Sequence, residues 1–461
     1  MNRIVTAASI VTFSVVTIST MAQQTPPIAP KSVETAVPAP LVIPAVGAPA
    51  DVPSKPLSAN EAARIAVVHQ PTIEQAIQAV IAAKGTTEQV RSAELPQVTV
   101  NAQYTNVTSL NTVGGVPSTA VDTVPGYLAT SVLKQLLFDF QHTRELVSQS
   151  RLLEDVAQDS LVKARYDLVL ATKQAYYMYA NNIRALQISE SSLNNRQKQL
   201  DLANAELKVG LGLPSDVALA ETSVAQGVTA LSVARENASA ARIALALIMG
   251  IDPRTPIDVT QDDEPAVADK DMNAMVNRAL KLRPDMKLAE DNFISTQHGV
   301  KAARTTNAPV LSGNVTIGSS GANFPLGNDA FEIGVSISWN PFDGGFTSGK
   351  IKQAKANQAI AASQQLGTRL TVISDVSQAY VLLRNDEQRV VSAKNSVANG
   401  NEGLRIAVGR FSSGLGIFLD IITAETALES AESDLTLATM AVDQDRSALS
   451  HAIGEPVPSA P

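Results

Sequence analysis

Few residues of this sequence have the types and spacing that chemistry requires. The 461 residues include no cysteine, which excludes disulfides, thiolate metal sites, thiol catalysis and an N-terminal lipidated cysteine. The four histidines are far apart, and none belongs to a metal-binding pattern such as H-E-x-x-H: His69, His142, His298 and His451. No nucleophile lies near a base in a catalytic arrangement. We therefore expect no catalytic residue, no metal site and no cofactor, and we do not predict an enzyme.

One motif resembles a phosphate-binding loop. Residues 344–350 read G-x-x-x-x-G-K and lie between a predicted strand and a predicted helix. Ile351 follows, where a phosphate-binding loop needs a serine or threonine to hold Mg²⁺. An ATPase is therefore only a distant alternative, which nucleotide binding would test.

Composition excludes several classes of protein. Apolar residues make up 45% of the chain, which excludes general disorder. Aromatic residues are only 4%, so few large rings are available to fill a thick globular core. The formal net charge of -8 is opposite to the basic stripe of a nucleic-acid-binding protein, so no nucleic acid is expected as a partner.

The N-terminal residues predict export. Residues 1–22 combine Arg3, an uncharged apolar stretch and a small-residue cleavage site, which is typical of a signal peptide; an uncleaved anchor helix is the alternative. Residues 23–57 are rich in proline and predict a flexible linker. No later stretch is expected to cross a membrane as a helix, so any insertion would use strands. Residues 457–461 form a short tail.

The chain contains an internal duplication. Gln174-Ala175-Tyr176 recurs as Gln378-Ala379-Tyr380, and Phe138-Asp139 recurs at the same numbering offset, which we call the downstream offset (378 − 174 = 204). Pro71 and Pro96 recur at a larger one, the upstream offset (284 − 71 = 213), so the first copy is nine residues longer before Phe138. We predict repeat 1 over residues 58–250 and repeat 2 over residues 283–456, joined by a linker at 251–282.

Each repeat predicts one very long helix, over residues 139–208 and 343–410. Both stretches lack proline and are rich in Ala, Leu, Gln, Lys and Glu. At 1.5 Å per residue each helix would be about 100 Å long, which a compact domain cannot enclose.

A seven-residue spacing near the end of the first long helix indicates coiling around a neighbour. The residues at this spacing are Leu186, Leu193, Leu200 and Leu207. The neighbour is the next proline-free stretch, 217–249 in repeat 1 and 421–453 in repeat 2. Each repeat therefore predicts an antiparallel helical hairpin; a free-standing soluble coiled coil is the alternative.

A strand with one apolar face is predicted after Ala330. Large apolar residues alternate there with small or polar ones, as in the lipid-facing strands of an outer-membrane barrel with a wet lumen. The predicted lipid-facing residues are Phe331, Ile333, Val335, Ile337 and Trp339.

Two β-hairpins are predicted, at about residues 310–341 and about residues 97–138, the latter around a loop from about Thr108 to Val124. Four strands cannot close a barrel, and open edges are forbidden in lipid. The strands would therefore belong to an oligomeric barrel or, alternatively, to a soluble β-sandwich.

Several of these motifs together resemble those of the outer-membrane efflux protein family, the TolC-like channels. Trp339 to Gly345 (W-N-P-F-D-G-G) resembles the family's strand-to-helix signature. Residues 209–211 (V-G-L) and 413–415 (S-G-L) resemble its two hairpin tips. The duplicated layout is similar to that of the family over about residues 57–454.

The resemblance implies a fold class and a function. The fold would be mainly α with a small β part: a trimeric α-helical barrel of long coiled hairpins, continued by a shared 12-stranded β-barrel with four strands per protomer. The homotrimer would lie in outer-membrane lipid and extend into the periplasm, with residues 251–282 as an equatorial linker. It would be the passive exit channel of a tripartite efflux or type I secretion system, opened by docking to a periplasmic adaptor (membrane fusion) protein and an inner-membrane transporter.

The resemblance also implies roles for residues at the tips. Adaptor contact is expected for Val209, Gly210, Leu211, Ser413, Gly414 and Leu415, although a plain turn is the alternative. Asp216 and Asp420 would form an acidic ring at the periplasmic entrance, or each would simply cap the following helix. Thr423 stands where a further aspartate is usual, and Gly416 where some members have a gate-closing arginine, so the gate departs from the family pattern.

A periplasmic helical-hairpin adaptor or scaffold is the alternative function. Adaptors have one hairpin and a lipoyl-like β-domain, whereas this sequence predicts two equivalent hairpins. The sequence does not indicate the class of pump or the cargo, which could be drugs, metal ions, solvents or polypeptides.

Overall fold

The computed structural model describes residues 56–455 apart from gaps at 114–115, 211, 261–263, 266–270 and 324–325, and it describes only the backbone of residues 107–125. The predicted signal peptide (1–22) and tail (457–461) lie outside the described residues. The same holds for the Pro-rich segment at 23–57 except for its last two residues.

Eight α-helices and four strands lie in the described part of the chain. The helices are α1 Ala59–His69, α2 Pro71–Arg91, α3 His142–Lys208, α4 Pro214–Ile248, α5 Met272–Leu282, α6 Pro284–Arg304, α7 Phe346–Ser412 and α8 Phe418–Ile453. The strands are β1 Gln97–Val113, β2 Val116–Phe138, β3 Val310–Gly321 and β4 Asn328–Ser338.

The helix bounds repeat through the chain. Helices α1 and α2 recur at the upstream offset as α5 and α6, and α3 recurs at the downstream offset as α7, each with the same length. Helix α5 therefore opens the second repeat, although the sequence prediction placed it in the linker at 251–282. Its sequence shares only two residues with α1, Asn273 and Ala279, so sequence identity could not reveal the match.

The four strands form one antiparallel sheet in the order β1-β2-β3-β4. Strands β1 and β2 pair nearly along their whole length, from Gln97 opposite Lys134 to Val113 opposite Val116. The predicted loop from Thr108 to Val124 is therefore wrong, because the nine extra residues of repeat 1 lengthen its hairpin. Strands β1 and β2 contain 17 and 23 residues, against 12 and 11 in β3 and β4.

Each long helix begins three residues later than predicted. In repeat 1, Phe140 and Gln141 have φ values of 55° and 69°, and in repeat 2, Gly344 and Gly345 have 61° and 93°. Left-handed residues cannot belong to a right-handed helix, so α3 and α7 start only after them. Both helices contain 67 residues and are therefore about 100 Å long.

The shorter helices of the hairpins, α4 and α8, begin three residues earlier than predicted, at Pro214 and Phe418. Proline is well suited to the first turn of a helix, because its missing N–H would be unpaired there in any case. Helix α7 ends at Ser412, two residues beyond the predicted end, and α4 ends at Ile248, one residue before it.

Helix α4 packs against α3 through small residues. Seven-residue steps along α4 connect buried positions that carry alanine or glycine: Ala220, Gly227, Ala234 and Ala241. A Cβ added to Gly227 would lie 3.0 Å from the Arg196 side chain and 3.1 Å from the Leu193 side chain. The two helices therefore approach closely along a coiled seam.

The same helix contradicts one prediction. Helix α4 has 35 residues and a mean hydropathy of 1.3 in its most apolar segment, so by length and composition alone it is able to cross a membrane. The sequence prediction allowed this for no stretch after the signal peptide. The alanines of the packed seam contribute to this hydropathy, which shows that composition alone does not distinguish a close-packed hairpin helix from a membrane span.

An apolar cluster beside α3 anchors the start of the described chain. Leu57, predicted to end the flexible linker, is instead buried and pairs with Val259 in a parallel β-bridge. Its N–H donates to the Asp258 carbonyl at 2.8 Å, and its own carbonyl accepts from the Thr260 N–H at 2.9 Å. The hydroxyl of fully buried Tyr176 lies 2.9 Å from the same Leu57 carbonyl.

Exchanging residues between the two strand-to-helix turns tests their backbone strain. A left-handed non-glycine residue costs about 1–2 kcal/mol, of which glycine's extra unfolded-state entropy offsets about 0.5–1. We expect Gln141→Gly to raise the unfolding free energy by up to about 1 kcal/mol and Gly345→Gln to lower it, measured by thermal unfolding. Gly403→Ala is the control, because its site is helical and open, so it should stabilise slightly. Destabilisation by Gln141→Gly would contradict the strain.

An acidic pair in the second hairpin predicts a pH dependence. Burial, followed by the hydrogen bond and charge of Asp386, raises the pKa of Asp445 to about 7. The folded chain therefore holds more protons than the unfolded chain between about pH 4 and 7, so stability falls as the pH rises through this window. We expect Asp445→Asn to flatten that fall and to stabilise the protein at pH 8, measured by urea unfolding from pH 4 to 8. Asp434→Asn, at an exposed site on the same helix, should leave the profile unchanged.

Candidate functional site

The two hairpin tips have the same backbone design. Helix α3 ends where Gly210 adopts a φ of 78°, and α7 ends where Gly414 adopts a φ of 72°. The Gly210 N–H donates to the Leu207 carbonyl at 3.1 Å, and the equivalent Gly414 N–H donates to the Phe411 carbonyl at 2.9 Å. A left-handed glycine with such a bond is a common helix C-terminus, which satisfies carbonyls that would otherwise be unpaired.

Apolar side chains at the tips are strongly exposed. Val209 is 70% exposed and Leu415 is 74% exposed. A Cβ added at Gly210 or Gly414 would meet nothing within 4 Å. The Ser413 hydroxyl, in contrast, donates to the Gly409 carbonyl at 2.8 Å and so belongs to the turn. Leu211, the remaining predicted contact residue, lies outside the described residues.

Beneath these surfaces, one apolar cluster joins the two tips. Its buried members come from both hairpins: Ala203, Ala220, Ala407, Phe418 and Ile421. The ring of Phe418 packs edge-to-face on Phe411, with centroids 5.5 Å apart. The two tips of one chain are therefore held as a unit.

The two predicted ring aspartates lie in the first turns of α4 and α8. Asp420 accepts from the Ile417 N–H at 3.4 Å, which is a long and weak bond. Among the described residues, Asp216 has no side-chain hydrogen bond or ion pair. Thr423 turns its hydroxyl to the Leu419 carbonyl, 2.8 Å away, and so bonds to its own helix.

Gly416 lies in a tight space. A Cβ at Gly416 would lie 3.2 Å from both the Cβ of Arg410 and the N of Phe411. Its counterpart Gly212 is tighter still, with Leu207 N at 2.9 Å. A side chain at position 416 would therefore require this turn to shift.

An ion pair between a buried arginine and a half-buried glutamate links the two hairpins behind the tips, and sequence reasoning missed it. Arg196 of α3 is 8% exposed and bonds to Glu429 of α8 at 2.6 Å. Its guanidinium also donates to the Ser223 hydroxyl of α4 at 3.1 Å. Arg196 lies between Leu193 and Leu200 of the seven-residue pattern, and a charge on such a seam was the signal that could have revealed it.

Glu425, a second carboxyl on α8, lies near this pair. It is buried, and burial raises the pKa of Glu425, while a hydrogen bond from Gln199 and the charge of Arg196 lower it. One of its oxygens has no partner among the described residues. The positive charge of Arg196 therefore acts on both carboxylates, Glu425 and Glu429.

The motif that resembles a phosphate-binding loop has a different role. The Asp343 carboxylate accepts from the Gly345 N–H at 3.0 Å and from the Thr347 N–H at 2.8 Å. It therefore fills the N-terminus of α7, where a phosphate would bind. Asp139 does the same in repeat 1, accepting from the Thr143 N–H at 2.7 Å. The described residues contain no group of three or more His, Cys, Asp or Glu placed to hold a metal ion.

The alternating residues of β4 point away from the protein interior. The apolar residues on one face are all more than half exposed: Phe331, Ile333, Val335 and Ile337, together with Trp339 just beyond the end of the strand. Five neighbouring apolar side chains on one exposed strand face are unusual for a surface in water.

The profile of the family described as "Outer membrane efflux protein" matches residues 63–251 and 275–455, which include most of both repeats.

The chain belongs to the outer membrane efflux protein family.

Named relatives agree with this assignment. The outer membrane protein TolC of Escherichia coli (strain K12) is 25% identical over 413 residues, which cover 81% of this chain and 80% of TolC. The solved structure of the outer membrane protein VceC of Vibrio cholerae has a TM-score of 0.74 at 22% identity and covers 86% of this chain and 96% of VceC. The outer-membrane channel OprN has a TM-score of 0.77 at 21% identity, covering 87% of this chain and 91% of OprN.

Family membership settles four predictions. The recognition of the efflux family is confirmed, and so is the mainly helical fold class with a small β part. The protein is an outer-membrane efflux protein whose helical part extends into the periplasm. The efflux assignment is supported over the periplasmic adaptor alternative, because the match includes both hairpins.

Proposed function

We propose that three copies of this protein form a passive exit duct across the outer membrane and the periplasm. Three copies would supply twelve strands for one barrel, and six helical hairpins for one tunnel. The observation that carries the proposal is the repeated unit itself: each half of the chain joins a β-hairpin to a helical hairpin about 100 Å long. An inner-membrane transporter would supply the energy for transport.

The hairpin tips are proposed to dock a periplasmic adaptor protein. Their apolar side chains are exposed, and the open space around Gly210 and Gly414 permits close approach by another backbone. Val209, Leu211, Ser413 and Leu415 complete the proposed contact. Docking would open the entrance in an efflux or type I secretion system, since both use such ducts.

The Arg196–Glu429 pair is proposed to hold the two hairpins together while the duct is closed. Separating the pair would leave the charge of the buried Arg196 without its partner, so separation is costly unless another contact replaces the pair. Adaptor docking at the adjacent tips would provide such contacts.

Substitutions at Gly210 test the docking surface. We expect Gly210→Trp to abolish export of a pump substrate, because its side chain would occupy the space of the adaptor. Gly210→Ala is the matched control, since it carries the same backbone strain at a φ of 78° without the bulk, and it should retain export. Trimer content is measured by light scattering for both variants. Normal export by Gly210→Trp would refute docking at this site.

Asparagine substitutions separate an acidic ring from helix capping. We propose that Asp216 and Asp420 of three copies form a ring of six carboxylates that attracts cations. Asparagine caps a helix as well as aspartate does but carries no charge. In single-channel recordings, Asp216→Asn/Asp420→Asn should weaken block by multivalent cations at least tenfold and leave thermal stability unchanged. Unchanged block together with unchanged stability would exclude the ring.

A further inference from the structure

The two strand pairs within the repeats have the same register. Strand β1 maps onto β3 by the upstream offset, because they begin at Gln97 and Val310. Strand β2 maps onto β4 by the downstream offset, because Phe138-Asp139 after β2 recurs as Phe342-Asp343 after β4. The pair Gln97 and Lys134 then maps onto Val310 and Ser338, which are partners in the sheet. Internal duplication therefore specifies strand pairing in this protein residue by residue.

A third strand pair, β2 with β3, joins the two repeats and has no equivalent within one chain. In this junction Leu133 lies opposite Val315. Its equivalent would join β4 to β1, but these are the two open edges of the same sheet. Strand edges exposed to lipid must be paired, so a second copy of this chain is the occupant that completes the pattern.

Applying the same offsets gives the register of that missing junction. Leu133 maps onto Ile337 and Val315 maps onto Ala102, so Ile337 would lie opposite Ala102 of the partner subunit. Two residues along, Val335 would lie opposite the partner's Tyr104.

The chemistry of the two edges supports this register independently. In this pairing the exposed apolar residues of β4, such as Val335 and Ile337, share a face with the exposed apolar positions of β1, such as Val100 and Tyr104. A shift by one residue would instead place the polar residues Asn101 and Gln103 beside them, facing lipid.

The helices repeat the same relationship. Helix α3 packs on α2 within repeat 1, α7 packs on α6 within repeat 2, and α3 packs on α6 between the repeats. The equivalent of this last contact is α7 against α2 of the next copy. Where α3 and α6 are joined by His298 and Glu145 at 2.6 Å, the same offsets give Gly85 and Gly349.

Both glycines lie on open helix surfaces within one chain. A Cβ at Gly85 or at Gly349 would meet nothing within 4 Å. The contact between α3 and α6 also has an ion pair between Lys287 and Asp159, 2.9 Å apart. The same offsets map this pair onto Glu74 and Ser363, which cannot form an ion pair. The contact between copies would thus lack these two polar contacts and have two small residues that allow close helix approach.

We propose that the contact between copies repeats, position by position, the contact between the two repeats of one chain. Strand β4 pairs with β1 of the next copy, with Ile337 opposite the partner's Ala102. Helix α7 lies against α2 of the next copy, with Gly349 opposite the partner's Gly85. This inference rests on the proposed trimer and adds its interface.

Disulfide trapping tests the register, because the natural chain has no cysteine. A disulfide requires Cα atoms about 4.4–6.8 Å apart. Oxidation of Ile337→Cys/Ala102→Cys in the detergent-purified full chain should give covalent oligomers of up to three chains on a denaturing gel, and Gly349→Cys/Gly85→Cys should do the same. Leu133→Cys/Val315→Cys is the positive control, because its bond lies within one chain and should leave the mass unchanged.

The off-register control is Ile337→Cys/Tyr104→Cys, which is displaced by two residues on the same face and should not crosslink. Light scattering of each reduced variant establishes its oligomeric state first. Trimers that crosslink only through the displaced pair, or through neither strand pair, would overturn the register while the proposed duct stands. A protein that is monomeric before oxidation would overturn the trimer itself and this interface with it.

Discussion

The structure depends on one constraint, which is that a strand in lipid must pair every backbone N–H and C=O. A helix meets this demand alone, but a sheet meets it only by closing on itself. The described residues form four strands, too few to close, and leave the edges of β1 and β4 unpaired. The fold of one chain is therefore completed only by assembly. The duplication provides the β2–β3 pairing within each chain, and the edges of β1 and β4 require another copy.

The sequence predicted those features that both repeats encode with the same residues. Phe138-Asp139 and Phe342-Asp343 marked the step from strand to helix, and alternation in β4 marked its exposed face. Helix α5 was missed because it keeps the buried pattern of α1 but almost none of its residues. The loop predicted at Thr108–Val124 was wrong because the inserted residues extend two paired strands. In this polar segment, the pattern of residues does not distinguish a longer strand from a turn.

Contacts between distant elements were the least accessible to sequence reasoning. Arg196 and Glu429 are 233 residues apart and have no counterpart pattern in the other repeat. The capping role of Asp343 was not recognised beside the motif at residues 344–350, because the sequence shows glycines but not which group accepts from their N–H groups. Such contacts depend on which side chains meet after the hairpins pack, and the pattern along one helix does not specify its partner.

The unequal β-hairpins have a consequence for the outside of the cell. Strand β1 is five residues longer than β3, which corresponds to about 17 Å of extra reach. In a three-fold assembly, the longer β1–β2 hairpins and the shorter β3–β4 hairpins would alternate around the outer opening of the barrel. An antibody or a bacteriophage arriving from the medium would meet the ends of β1 and β2 before strands β3 and β4, so the two β-hairpins of the duplicated chain would face different selection.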